Sequence, residues 1–325
     1  MMQSKRGTMR DPAIAGVLAL VLVLWSGLAF SGDNVDREVR DAALIGDVQM
    51  LQRLLEQGGD PNAKTRFGKS ALMFAIEEGN TEAVKFLIRH GADVNARSVA
   101  GCTALTFAAE GGYANLVALL LDEGAETYPK TRSGWDALMN ATRYGYPDIM
   151  QLLIARGANV NTSDRDGRTV LMAAAQNGDI AALRLLLGAG ADVHVRDKDG
   201  ASALMHAAAK GQTAVVKYLL EHGANVEARS DDGATALFWA AEAGNAEVVR
   251  LLLDHGAAID RQSLTGGTAL MEAVRSDHPE AVELLVRRGA NRALRDVDGH
   301  TARDYAESSS DRRIERLLEG AGTAR

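Results

Sequence analysis

Cysteine is almost absent. Cys102 stands alone among 325 residues, so no disulfide framework and no cysteine-based metal site can form within one chain. Such poverty suits an oxidising compartment. Excess positive charge is absent as well. The net charge is −7, and it becomes −9 without residues 1–31, which carry Lys5, Arg6 and Arg10 against Asp11. Sequence-independent nucleic-acid binding needs a basic surface, so a nucleic-acid partner is not expected. Catalytic signatures are missing too. There is no nucleophile elbow, no P-loop and no HExxH, which argues against an enzyme.

What the chain does have is a period. Glycine followed by a small residue falls at Gly58, Gly91, Gly124, Gly157, Gly190, Gly223, Gly256 and Gly289, each step being 33 residues. A second series keeps the same step: Gly68, Gly101, Gly134, Gly167, Gly200, Gly233, Gly266 and Gly299. Two series in phase over eight periods define a stacked repeat, in which each unit buries its apolar face against its neighbours. A solenoid grows in one dimension, so the length does not require two compact domains.

The stretch 164–196 shows the unit. Asp164 to Gly167 reads as a turn, with Gly167 free to take a positive φ. Thr169 stands where a helix N-cap belongs, and Val170 to Asn177 reads as a short first helix whose small face carries Ala174 and Ala175. Gly178 closes it. Ile180 to Leu187 reads as the second helix, with Leu183, Leu186 and Leu187 as its buried stripe. The cap position recurs as Ser70, Thr103, Asp136, Thr169, Ser202, Thr235, Thr268 and Thr301, all capping residue types.

These motifs resemble the ankyrin repeat. Segment 233–257, GATALFWAAEAGNAEVVRLLLDHGA, follows the family pattern almost position for position, and the resemblance covers roughly residues 35–320. It implies an all-α repeat solenoid of helix-turn-helix units with projecting β-turn fingers, and protein binding as the activity. One departure is general. The family's Pro after the cap is Ala or Val here, and its His is mostly Met: Met73, Met139, Met172, Met205 and Met271. That stripe is expected to pack in the core, where methionine fills irregular gaps.

The N-terminus is a separate module. After Lys5, Arg6 and Arg10 comes an uncharged run from Ala13 to Phe30. As a helix it would span about 27 Å, close to a hydrocarbon core of about 30 Å. The flanking charge puts the N-terminus in the cytoplasm and sends the rest across the membrane. Ser26, Gly27, Ala29 and Ser31 fit a signal peptide cleaved before Gly32, whereas the length of the run fits an uncleaved signal anchor. Either makes this an exported bacterial type of ankyrin protein, in the periplasm as a soluble protein or anchored to the inner membrane by residues 13–30.

The expected organisation is therefore a signal peptide or anchor at 1–31, then a linker and N-terminal capping repeat at 32–64. Seven repeats follow at 65–295, with a C-terminal capping repeat at 296–325. Asp33 to Arg40 reads as a short polar connection, and Ile314, Leu317 and Leu318 as the inward face of the last helix. A polar outer face keeps a terminal repeat soluble.

No cofactor, metal or small-molecule substrate site is expected. His90, His222 and His255 each precede a Gly-Ala pair and read as helix C-terminal residues. Asp164/Asp166, Asp197/Asp199 and Asp296/Asp298 read as turn formers rather than calcium ligands. Cys102 reads as a packed or tolerated thiol, since no Lys or His adjoins it.

A partner is expected on the concave face formed by fingers and first helices. By the resemblance, the projecting positions are Arg66, Phe67, Lys69, Glu77 and Glu78 in the second unit. In the fourth they are Arg132, Ser133, Trp135, Arg143 and Tyr144, and in the fifth Arg165, Asp166, Arg168, Gln176 and Asn177. Trp, Tyr and Arg are the residues that dominate interface energetics. The candidate binding set is therefore Phe67, Arg132, Trp135, Arg143, Tyr144, Arg165 and Arg168. The fourth unit also breaks pattern at Tyr128-Pro129 and Tyr146-Pro147, and local rule-breaking on a regular scaffold marks function. The expected activity is a non-enzymatic protein-interaction module of the bacterial envelope. Alternatives are a structural or protective subunit of an envelope enzyme, or a secreted host-directed effector.

Overall fold

The computed structural model describes residues 32–307 and 311–319. The hydrophobic run at 13–30 lies outside them. Among the described residues no helix is long and apolar enough to cross a membrane.

Each unit is a pair of antiparallel helices. The inner helices are Ala71–Glu77, Ala104–Glu110, Ala137–Tyr144, Val170–Asn177, Ala203–Ala209, Ala236–Glu242 and Ala269–Arg275 in units two to eight. The outer helices are Thr81–Arg89, Ala114–Asp122, Pro147–Ala155, Ile180–Gly188, Thr213–Glu221, Ala246–Asp254 and Pro279–Arg287. Inner packs on the next inner helix and each pair on itself, and outer packs on the next outer from Ala114–Asp122 to Pro279–Arg287. Helices of seven to nine residues are too short to be stable alone, so the array derives its stability from this stacking.

The cap column works as its residue types require. Ser70, Thr103, Asp136, Thr169, Ser202 and Thr268 each accept a hydrogen bond from the backbone N–H three residues on. Each such cap is worth roughly 1 kcal/mol. Thr235 makes no such bond. The inner helices bury small residues, Ala75, Ala108, Ala141, Ala174, Ala207, Ala240 and Ala273, so neighbouring helices approach closely. All five methionines of the stripe are buried. On the outer helices the first member of each apolar pair, such as Leu153 or Leu186, is fully buried. Leu187 is only half-buried, against the full burial its position in the stripe implied.

The fingers form a ladder. The backbone N–H of Val99 donates to Phe67 O at 2.8 Å, and Arg132 to Ala100 O at 2.7 Å. Arg165 donates to Ser133 O at 3.2 Å, Lys198 to Asp166 O at 2.9 Å and Asp231 to Asp199 O at 2.9 Å. Leu264 and Val297 continue it onto Asp232 and Thr265. Neighbouring fingertips from the second unit to the ninth are thus tied directly, backbone to backbone.

The ends differ from the sequence reading. Residues 33–40 are not a connection but part of a helix, Gly32–Ile45. Val35, Val39, Ala42 and Ala43 fall at helical spacing and are buried against the second unit's inner helix, which is why the segment is helical despite its polar composition. In the last helix, Arg312–Glu319, Ile314 and Leu318 are buried as expected. Arg313 is half-buried. It donates to Glu280 at 2.8 Å and also pairs with Glu283, clamping the cap onto the eighth unit's outer helix.

Candidate protein-interaction surface

Fingers and inner-helix ends share one surface. In the second unit, finger residue Lys69 pairs with Glu77 at the end of the inner helix. In the fourth, Arg143 near the end of its helix lays its guanidinium 4.5 Å from the centroid of the Trp135 ring in the finger. Gly145, at φ 70, closes that helix as a left-handed C-cap.

Trp135 is half-buried. Its backbone N–H donates to Thr131 Oγ1 at 3.1 Å, and its carbonyl accepts from Thr131 N–H at 2.8 Å. These bonds fix the backbone that carries the ring, and Arg143 covers one of its faces. The same guanidinium lies 5.8 Å from the Tyr144 ring. Tyr144 is 46% exposed, donates its hydroxyl to Glu110 at 3.4 Å and stacks on Tyr146 at 6.2 Å. Trp135, Arg143 and Tyr144 are thus one contiguous cluster. Arg132 and Arg165 are exposed at the tips of consecutive fingers, which the Arg165–Ser133 bond joins, and Arg168 projects from the same finger as Arg165.

Phe67 does not join them. It is 62% exposed on the second unit's finger, with Arg66 4.7 Å from its ring centroid. Two unit steps of about 10 Å separate it from the Trp135 cluster.

The floor of the groove escaped the sequence reading. The fourth residue after each cap forms a 33-residue column: Phe74, Phe107, Asn140, Ala173, His206, Trp239, Glu272 and Tyr305. That column was legible in the repeat alignment but lies between the positions chosen as projecting. Asn140 Nδ2 donates to Thr106 O at 3.4 Å. His206 is buried and donates from Nε2 to Asp197 Oδ2 at 2.8 Å, while its ring meets Trp239 edge-on at 5.8 Å. Asp197 Oδ1 accepts the N–H of Asp199 and of Ala201, so this turn aspartate also anchors the floor. Glu272 is buried beside Arg275, and burial raises its carboxyl above the usual range.

Asp136 is a buried carboxylate in a column of hydroxyl caps. Oδ1 accepts the Met139 N–H at 3.0 Å and Oδ2 accepts the Thr162 hydroxyl at 2.5 Å. Burial nonetheless raises its pKa, partly offset by those bonds and by Lys130.

The other sequence candidates have structural work. His90, His222 and His255 each donate from Nδ1 to the carbonyl four residues back, at 2.8–2.9 Å. Asp296, Asp298 and His300 converge closely enough to hold a metal ion. However, Asp296 Oδ1 already accepts the N–H of Asp298 and of His300, and Oδ2 accepts the Tyr305 hydroxyl.

The comparisons agree with this architecture. Family models described as "Ankyrin repeats (3 copies)" match residues 40–131, 124–197 and 171–263, and one described as "Ankyrin repeats (many copies)" matches 252–306. The chain belongs to the ankyrin-repeat family, whose members are protein-interaction domains. It is similar to the crystal structure of the ankyrin repeat domain of Bcl-3, described as a unique member of the IkappaB protein family. The identity is 30%, the TM-score is 0.58, and the match covers 68% of this chain and 99% of that one. No match was found among curated proteins.

Proposed function

We propose that this array is a non-enzymatic scaffold that binds a partner protein along its concave face, centred on Trp135, Arg143 and Tyr144. One observation supports this most directly. In one unit a finger Trp and a helix-end Tyr share a single Arg, whose guanidinium lies 4.5 Å from the first ring and 5.8 Å from the second. Residues of this kind carry most of the energy of protein interfaces. Their partners within the chain cover them in part only, so surface remains for a ligand.

The basic residues before Ala13, the apolar run after them and the small residues up to Ser31 support export. The working site of the scaffold is then the periplasm, free or tethered to the inner membrane.

Two experiments test these statements. A photo-crosslinking residue at position 135 should give a specific adduct in living cells. One at Arg250, exposed on an outer helix and paired with Glu247, should not. Trp135→Ala should cost about 2 kcal/mol or more in affinity while the array stays folded; unchanged affinity would remove the cluster from the site. A phosphatase active only outside the cytoplasm, fused after residue 40, should be active in cells, and an inactive fusion would defeat the export reading.

A further inference from the structure

From the fourth unit onward the concave face carries its charge in two blocks; units two and three carry Arg66 with Glu77, Glu78 and Glu110. Arg132, Arg143, Arg165, Arg168, Lys198 and Lys210 are all exposed on units four to six, with exposed Asp166 and Asp199, half-buried Asp164 and buried Asp197 interleaved. None of the six takes part in an ion pair among the described residues, and Arg143 alone is engaged, with aromatic rings. Several cations elsewhere on the array are paired across units. Arg156 is held by Asp122 at 2.8 Å, Arg288 by Asp254 at 2.6 Å and Arg261 by Glu227 at 2.7 Å. In unit seven the sign reverses. Asp231, Asp232 and Glu242 are exposed on the same face, and only Asp231 has a cation, Arg196. In unit eight, Glu272 and Arg275 neutralise each other.

We propose that the groove recognises a charge-segregated protein segment, with an acidic block over units four to six and a basic block over unit seven. This rests on the concave-face reading above. The centres of units five and seven lie about 20 Å apart at roughly 10 Å per unit. An extended chain covers that distance in about six residues at about 3.3 Å each. The partner motif is therefore a short run of Asp or Glu separated from Lys or Arg by about six residues.

Salt screening keeps the blocks independent. The Debye length at physiological ionic strength is about 8 Å, under half the distance between the block centres, so each block is felt locally and cancellation is confined to the boundary, where Arg196 pairs with Asp231. The acidic block also selects against other polyanions. A nucleic acid that continued along the groove past unit six would bring its phosphates onto Asp232 and Glu242. Like charges brought together across an interface oppose binding.

The test is a selection of displayed twelve-residue peptides on the full chain, repeated on an Arg165→Glu/Arg168→Glu variant. Both side chains are exposed, so the variant should fold. The expected result is enrichment of peptides with an acidic and a basic block about six residues apart. These should bind the variant at least about tenfold more weakly, and the variant should enrich peptides with Lys or Arg where the first set has acids. Peptides that depend on Trp135 but show no charge segregation would overturn this proposal and leave the concave-face reading intact. Peptides indifferent to Trp135, Arg165 and Arg168 would overturn both. Displacement of selected peptides by single-stranded RNA at physiological salt would also overturn the proposal, in favour of a nucleic-acid ligand.

Discussion

The finger ladder can be weighed by comparing two glycines. Gly134 lies in the fourth finger at φ 85, and Gly157 follows the fourth outer helix at φ 81. Both positions disfavour a side chain, by roughly 1–2 kcal/mol for a left-handed residue. Alanine also restricts the unfolded chain, which returns about 0.4–1 kcal/mol. The surroundings separate the two sites. A Cβ at Gly157 meets nothing within 4 Å, whereas one at Gly134 falls 2.7 Å from Arg165 N and 2.9 Å from Asp164 C, both backbone atoms that cannot rotate away. Gly157→Ala should therefore cost about 1 kcal/mol. Gly134→Ala should add about 1–3 kcal/mol of crowding and strain the Arg165–Ser133 bond, worth about 0.5–1.5 kcal/mol. The difference between the variants should be at least about 1 kcal/mol, read as a shift in urea midpoint by far-UV circular dichroism with unchanged slope. Equal midpoints would refute the claim that the fingers support one another.

Three further outcomes follow from buried groups. Leu186→Ala removes a fully buried side chain from the fifth outer helix and should destabilise by about 2–5 kcal/mol in the same assay. His206→Ala leaves buried Asp197 Oδ2 without its donor and should cost about 1–3 kcal/mol; a neutral effect would mean water reaches the groove floor freely. Burial raises the folded-state pKa of Asp136 above its ordinary value of 3.8, so the native state binds the extra proton. Its contribution to stability therefore falls as pH rises from about 3.8 through the raised value. Asp136→Asn keeps an acceptor for the Met139 N–H and should flatten that part of the pH–stability curve, whereas an unchanged curve would show that Asp136 does not titrate there.

Much of the fold was legible because its determinants are local and periodic. Thr169, Ala174 and Leu186 sit in columns where capping, close approach and burial each admit few residue types. The first helix was not legible in that way. Its unit has no finger, so the repeat register gave no warning that Val35 and Val39 fall on the same stripe as Ala42 and Ala43. The helical spacing was present but masked by the acidic and basic residues between them. Leu187 shows the opposite error. Its type fits the buried column, but the rotation of the helix leaves it at the edge of the contact.

The candidate site was legible in part, for a related reason. Trp135, Arg143 and Tyr144 stand out as residue types, and the structure brings them together. Phe67 stands out equally by type, yet two unit steps separate it from them, because exposure on a finger says nothing about which finger. Asp197 and His206 were missed in the reverse sense. An aspartate in a turn and a histidine after a helix start have ordinary local explanations, and only the fold brings their side chains to 2.8 Å. In a solenoid the informative coordinate is therefore the column across repeats as well as the run along the chain. Read that way, the exposed column at the fingertips runs Arg132, Arg165, Lys198 and then Asp231. The backbone ladder holds these four side chains at consecutive steps, so the reversal of charge between Lys198 and Asp231 occurs at one fixed place along the groove.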